Sequence, residues 1–229
     1  MEQTVICKKL SKTYQQNAIA ICALSEIDLN VPKGDFVCLS GPSGSGKTTL
    51  LNLIGGLDAP TSGEITVDSR RVDLMTPAQL ATMRLKHLGF VFQAYNLIPV
   101  LTAQENVEFV MQLQGMDRKQ RRIRAHAILK EVGLEGLENR KPAKLSGGQQ
   151  QRVAVARAIV SGPRLVLADE PTANLDSQNG KMLLELMRKM NQDHGVTFII
   201  ATHEQLVMDH AKRLIHLHDG RIVSDELQQ

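Results

Sequence analysis

Tryptophan is absent from the chain, and two tyrosines and five phenylalanines bring aromatic residues to only 3% of 229. So few rings cannot build the broad stacking surface on which single-stranded nucleic acid is bound. Charge of one sign is also scarce: 27 basic against 24 acidic residues leave a formal net charge of +3. That balance offers a polyanion no bulk electrostatic footprint, and no nucleic-acid partner is expected. Cysteine is limited to Cys7, Cys22 and Cys38, which form no CxxC pair and no Cys/His spacing suited to a metal. Such an odd, scattered set points to a reduced, cytoplasmic setting. Long apolar runs are missing too. The stretches 18–24 and 196–201 fall far short of the roughly 20 residues that span a bilayer. The opening MEQTVICKKL has neither the basic flank nor the apolar core of a secretory signal. The expectation is a chain that is soluble by itself.

What is present is an ordinary globular composition, 42% hydrophobic and 22% charged, at a length that can bury a sizeable core. Residues 4–10 and 27–31 alternate like half-buried strands, Pro32-Lys33-Gly34 makes a turn, and 36–40 is a short apolar strand. Leu50, Leu51, Leu53, Ile54 and Leu57 recur at helical spacing within 48–57, and 64–74 reads as further strands around a polar turn at Asp68-Ser69. Helical periodicity then takes over at 78–87, 103–113 and 118–132, with breaks at Pro99, Gly115 and Gly133. A strand–helix–strand pattern follows at 165–168, 180–191 and 196–201, and Asp219-Gly220 closes a hairpin between 213–218 and 221–224. The predicted class is α/β: a core from residues 1–93 and 159–229, interrupted by a helical subdomain at 94–158. The basic run Arg118–Arg124 reads as the solvated face of a helix in that insert. His126, His194, His210, His216 and His218 show no metal spacing.

Between the strand at 36–40 and the helix after it, Gly41-Pro42-Ser43-Gly44-Ser45-Gly46-Lys47-Thr48 matches G-x4-G-K-[ST]. The glycines let backbone N–H groups curl around an anion, and the helix that follows adds the positive end of its dipole. Lys47 can reach β- and γ-phosphates, and the Thr48 hydroxyl can ligate Mg²⁺. The alternative, a flexible Gly/Ser linker with a chance lysine, does not explain the flanking strand and amphipathic helix. A second apolar strand, 165–168, delivers Asp169 and Glu170 to its C-terminal end, where open α/β sheets bind ligands. Adjacent residues on an extended chain point opposite ways, so the two acids are expected to differ in role. Asp169 would orient Mg²⁺ or its water shell; Glu170 would act as general base on the attacking water.

Five further elements stand in the order found in a known family. Leu145-Ser146-Gly147-Gly148-Gln149 resembles the signature sequence of ABC ATPases, Gln93 the Q-loop glutamine, and Ala173-Asn174-Leu175-Asp176 the D-loop. His203 resembles the switch histidine and Tyr14 the aromatic that stacks on adenine. The resemblance runs over essentially the whole chain. It implies a P-loop ABC ATPase domain with a mixed-sheet core, an antiparallel β-subdomain and a helical subdomain. It further implies ATP and Mg²⁺ as ligands and hydrolysis to ADP and phosphate. ATP would be held by Tyr14, residues 41–48, Thr49, Ser146–Gln149 and Asp176; Glu170, His203 and Gln93 would be catalytic; Thr48, Gln93 and Asp169 would surround the metal. Because one chain cannot bring its signature to its own phosphate loop, the resemblance implies a head-to-tail homodimer closing on two ATPs. It also implies transmembrane permease subunits as partners and a peripheral place on the cytoplasmic face of the inner membrane.

GFVFQAYNLIP at 89–99, LTAQEN at 101–106 and LADEPT at 167–172 are similar to the bacterial group of lipoprotein-releasing, macrolide-efflux and cell-division ABC ATPases. That likeness implies export or extraction of a lipid, lipoprotein, peptide or drug. Ala173 stands where those relatives commonly carry Gly. A soluble ABC protein acting on DNA or ribosomes would need a long coiled-coil insert or a second ATPase domain, neither of which fits here. A non-hydrolysing regulator conflicts with Lys47, Glu170, Ser146 and His203 all being intact. Tyr95, Leu97, Ile98, Pro99 and Leu101 make the start of the insert apolar yet irregular. Such a loop is expected to line a groove for a helix of the membrane partner, or else to pack inside the insert.

Overall fold

The inner strands of the central sheet, Phe36–Ser40, Leu165–Asp169 and Thr197–Thr202, are apolar on both faces, and the computed structural model shows why. It describes residues 2–16 and 19–228, without the side chain of Gln16; Ala18 of the apolar run lies outside them. In chain order the elements begin with β1 (Gln3–Gln16), β2 (Ile19–Pro32), β3 (Phe36–Ser40), α1 (Lys47–Ile54), β4 (Ser62–Val67) and β5 (Arg70–Arg71). They continue with α2 (Pro77–His87), β6 (Leu88–Phe92), α3 (Ala103–Leu113), α4 (Arg118–Glu131), α5 (Gly147–Ile159) and β7 (Leu165–Asp169). The remainder is α6 (Ser177–His194), β8 (Thr197–Thr202), α7 (Gln205–His210), β9 (Arg213–His218) and β10 (Arg221–Leu227).

A six-stranded sheet runs in the order β10-β9-β3-β8-β7-β6, parallel except for the β9–β10 hairpin. Strand alternation sorts its side chains into two cores. Phe36, Cys38, Val166, Ala168, Phe198 and Ile200 face α5, α6 and the insert helices; Val37, Leu39, Leu165, Leu167, Ile199 and Ala201 face α1 and the second sheet. Each fully buried Leu, Ile or Phe contributes about 1.5–3 kcal/mol of transfer free energy, so two covered faces dictate continuous apolar strands. The second sheet, β2-β1-β4-β5, is antiparallel and closes over α1.

Several boundaries differ from the sequence expectation. The β1–β2 hairpin is far longer than 4–10 and 27–31, because the outer half of β2 is exposed on both faces and that of β1 is only partly covered, which leaves no polarity alternation to read. Lys9 and Glu26 take left-handed φ values of 45° and 49°, and the register shifts there, which scrambles the period-2 signal. The second half of the expected 64–74 strand is a 3₁₀ turn, Val72–Leu74, held by Asp73, whose carboxylate accepts the Ile65 N–H at 2.9 Å. Helix α1 stops at Ile54 because Gly55-Gly56 follows, so Leu57 stays half exposed in solvent. The short helix α7 was not expected at all.

Within 94–158, α3 and α4 pack on α5 through Val107, Met111, Ala125, Ile128 and Leu129. Helix α5 starts in that insert and ends against β6, joining the two regions mechanically. The exposed face of α4 carries Arg118, Lys119, Arg122 and Arg124, while Arg121 turns in to pair with Glu108 at 3.2 Å. Leu97 of the loop before α3 lies against the insert core. No helix among the described residues is long and apolar enough to cross a membrane.

Candidate active site

Parallel register brings four strand ends together. Ser40 pairs with Thr202, Ala201 with Asp169, and Asp169 with Phe92, so the residues that follow β3, β8, β7 and β6 emerge side by side. They enclose a cavity of about 550 Å³ lined by the phosphate loop together with Ala23, Gln93, Asp169, Glu170 and His203.

The phosphate loop is wedged from behind. A Cβ on Gly41 would stand 2.1 Å from the Leu217 carbonyl oxygen, and one on Gly46 would stand 2.7 Å from that of Ala23. Both glycines have positive φ, 144° and 102°, so any other residue there is strained as well as obstructed. The Gly220 N–H donates to the Ser45 carbonyl at 3.1 Å, and the Ser25 N–H to the Gly220 carbonyl at 2.8 Å. The loop is thus pinned between β2 and the β9–β10 turn. Lys47 is buried, and its Nζ donates to the carbonyls of Gly41 at 2.7 Å and Pro42 at 2.9 Å.

The two adjacent acids reach different partners. Asp169 accepts the Thr48 hydroxyl, at 3.1 and 3.0 Å to its two oxygens. Burial pushes the Asp169 carboxyl above the usual range against that hydrogen bond; the charge of Glu170 adds to the rise and Lys47 opposes it. Glu170 leaves the strand in a left-handed turn, φ 46°, with its N–H on the Ala201 carbonyl at 2.9 Å. Both its oxygens are engaged, Oε2 by the Thr202 hydroxyl at 2.9 Å and Oε1 by His203 Nδ1 at 2.7 Å. A non-glycine residue held this way costs on the order of 1–3 kcal/mol, which the surrounding bonds must offset. Beneath it, burial lifts the Cys38 thiol to about 12, so that it stays protonated and unreactive.

The cavity gathers Pro42, Ser43, Gly44, Gly46, Lys47, Thr48, Thr49, Gln93, Asp169, Glu170 and His203 of the expected set. Gly41 and Ser45 are buried within the loop and do not reach the lining. Tyr14, Ser146–Gln149 and Asp176 are not part of its lining. Ser146 caps the N-terminus of α5 through a reciprocal bond with Gln149, at 3.3 and 3.0 Å. Asp176 caps α6, and the bonds from Asn179 hold its carboxyl below the usual carboxylate range.

Sequence reasoning overlooked the residues that connect these groups. Thr202 is one. Gln151 on α5 is another: fully buried, it donates to the Pro171 carbonyl at 2.7 Å and the Phe92 carbonyl at 3.3 Å, tying the Glu170 turn to the Gln93 strand. Asn174 donates to the Gln93 carbonyl at 2.9 Å, and Arg157 bonds the carbonyls of Tyr95 and Asn96, both left-handed. A polar residue inside an apolar helix stripe, as Gln151 is in α5, was the one local signal available.

A model of the ABC transporter family matches residues 24–173. The chain is 44% identical over 225 residues to the macrolide export ATP-binding/permease protein MacB of Escherichia coli, covering 98% of this chain and 35% of that protein. It thus spans about a third of the length of those relatives. It is 45% identical over 223 residues to the ABC transporter ATP-binding protein MJ0796 of Methanocaldococcus jannaschii, covering 96% and 95% of the two chains. A solved dimeric structure of that cassette, bound to ADP and Pi in a post-hydrolysis state, superposes with a TM-score of 0.90 at 43% identity, covering 98% of this chain and 99% of that one. The cbiO1 protein of Clostridium perfringens, part of the cbiONQ transporter complex, superposes at 0.89 with 27% identity, covering 99% and 89%. With family, fold and phosphate site in agreement, the chain belongs to the ABC transporter family, as an ATP-binding cassette that hydrolyses ATP.

Proposed function

We propose that the chain powers a transmembrane permease by closing and opening as a head-to-tail homodimer around two ATPs. The observation that carries this reading is the separation of its two anion sites. The signature helix start at Ser146–Gly148 lies off the cavity that holds Lys47, so a second copy must supply it. The dimeric state of the MJ0796 cassette supports a dimer. The permease function named for the MacB relatives supports a membrane partner, a place on the cytoplasmic membrane face, and export or extraction of a lipid, lipoprotein, peptide or drug. A groove of about 380 Å³ beside the Q-loop, lined by Leu57, Phe90, Phe92, Asn96, Val110 and Arg157, suits a helix of that partner.

In the hydrolytic step, the Glu170 carboxylate takes a proton from the attacking water as the water oxygen bonds to the γ-phosphorus. The bond from phosphorus to the β–γ bridging oxygen breaks, and its electron pair leaves on ADP. Thr202 and His203 fix both carboxylate oxygens for this transfer. Lys47 has used two of its three donors on carbonyls, leaving one for a phosphate oxygen. Gln93 and His203, at the cavity wall, would orient the water and the γ-phosphate; Thr49 would meet phosphate and Tyr14 the adenine. Thr48 and Asp169 suit Mg²⁺: both are hard oxygen donors, held together on the cavity wall by the Thr48 hydroxyl bond to the carboxylate, and together they would hold the ion. When bound, that ion neutralises charge on the phosphate oxygens. The test is Glu170→Gln. It is expected to keep ATP affinity, lose steady-state phosphate release by about 100-fold or more, and accumulate as dimer with MgATP in light scattering. Phosphate release near the wild-type rate, or a persistent monomer, would overturn the reading.

A further inference from the structure

Tyr14 is 37% exposed, yet it is held on two sides. Its hydroxyl donates to Asp58 Oδ2 at 2.8 Å. Lys12, two residues earlier on the same strand face, places Nζ over the ring at 4.7 Å from the centroid. That ammonium does not wander, because it donates to Asp58 Oδ1 at 2.7 Å and to the Ala59 carbonyl at 2.7 Å, and its side chain is only 12% exposed. Asp58 is itself fixed: its Oδ1 accepts the Ala59 N–H at 2.7 Å, and it follows α1, the helix that begins at the phosphate loop. Burial, with the Asp58 bond behind it, raises the Tyr14 phenol above its ordinary value.

A freely rotating phenol offers two faces and many ring planes to a flat ligand. Here one face is covered by a cation, and the hydroxyl sets the ring's tilt relative to the phosphate cradle. We propose that Lys12 and Asp58 are positioning residues for the nucleotide base, leaving Tyr14 one open face in fixed register with the phosphate loop. The proposal rests on the reading of Tyr14 as the adenine platform. Preorganisation of this kind lowers the ordering cost of binding, and a cation behind the ring withdraws π density, easing its stacking on an electron-rich purine.

The experiment compares equilibrium affinity for ATP with affinity for inorganic tripolyphosphate, which has the phosphates and no base. Wild type, Tyr14→Ala, Lys12→Met, Lys12→Arg and Asp58→Asn are measured as the full chain. Lys12→Met and Asp58→Asn are expected to weaken ATP by about 3- to 10-fold while tripolyphosphate affinity holds, the loss falling on KM rather than kcat. Lys12→Arg should recover most of it, and neither change should weaken ATP further once Tyr14→Ala is present. If Tyr14→Ala lowers ATP affinity selectively and the other two do not, the proposal is overturned while the platform stands. If Tyr14→Ala leaves the ratio unchanged, the platform reading itself fails. Parallel loss of both ligands would make the pair a general support of the hairpin, and that too overturns the proposal.

Discussion

Thr202 is fully buried, and its hydroxyl bonds in two directions, donating to Glu170 Oε2 at 2.9 Å and accepting the Glu204 N–H at 3.0 Å. Replacing it by Val keeps the shape and removes both bonds. Glu170 would then keep only its bond to His203, which stands more than half exposed, and would sample other rotamers. Thr202→Val is therefore expected to lower kcat by about 3- to 30-fold, the equivalent of one or two neutral-to-charged hydrogen bonds. The KM for ATP should move little, because Thr202 does not line the cavity. Steady-state phosphate release against ATP concentration separates the two, and a change confined to KM would contradict the role. The phosphate loop and the Asp169-Glu170 pair were legible in the sequence because each is a run of neighbours whose chemistry needs no other segment. Thr202 and Gln151 were not, since what they touch lies 32 and 20 or more residues away and is set by strand register.

Among the elements, the 3₁₀ turn after β5 shows where polarity patterning stopped being informative. Asp73 looked like part of a strand, but its carboxylate ends the strand by taking the Ile65 N–H and both Nε and Nη2 of Arg71, at 3.0 and 2.7 Å. The Arg71 bond, with the Ile65 amide behind it, holds this carboxyl below the usual carboxylate range against burial. The Arg71 side chain is 38% exposed, so screening leaves the backbone bond as the main contribution, about 1 kcal/mol. A lowered folded-state value means this stability is present above the unfolded carboxyl pKa of about 3.9 and is lost as pH falls through the folded one. Asp73→Asn should therefore unfold at lower urea than wild type at pH 7, with the gap closing towards pH 3. A gap that persists in acid would show that shape, not charge, holds the turn. Helices α2, α3, α4 and α6 were readable from periodicity; α5, which opens on the polar run Gly147–Arg152, was not, and neither was the outer β1–β2 hairpin, where too little is buried for alternation to record.

At the scale of the whole molecule, the proposed head-to-tail dimer would make the helix start at Ser146, capped within its own chain by Gln149, half of a site that a second copy completes. Ser146→Arg would put a guanidinium over the Gly147 and Gly148 amides and remove a cap worth about 1 kcal/mol. In the Glu170→Gln background, this change is expected to abolish the MgATP-dependent dimer in light scattering while urea unfolding of the monomer shifts only slightly. A normal dimer would place the partner contact elsewhere. The backing of the phosphate loop by Leu217 and Gly220 carries a different consequence. On the ribosome, residues 41–48 emerge long before β9 can dock on β3 in its Val37–Arg213 register. A nascent chain that has passed His203 already displays every nucleotide motif, yet the loop meant to cup phosphate has no wall behind it. Competence to hold ATP should therefore arrive in a single late step of synthesis, with the turn at Asp219-Gly220, rather than accrue motif by motif.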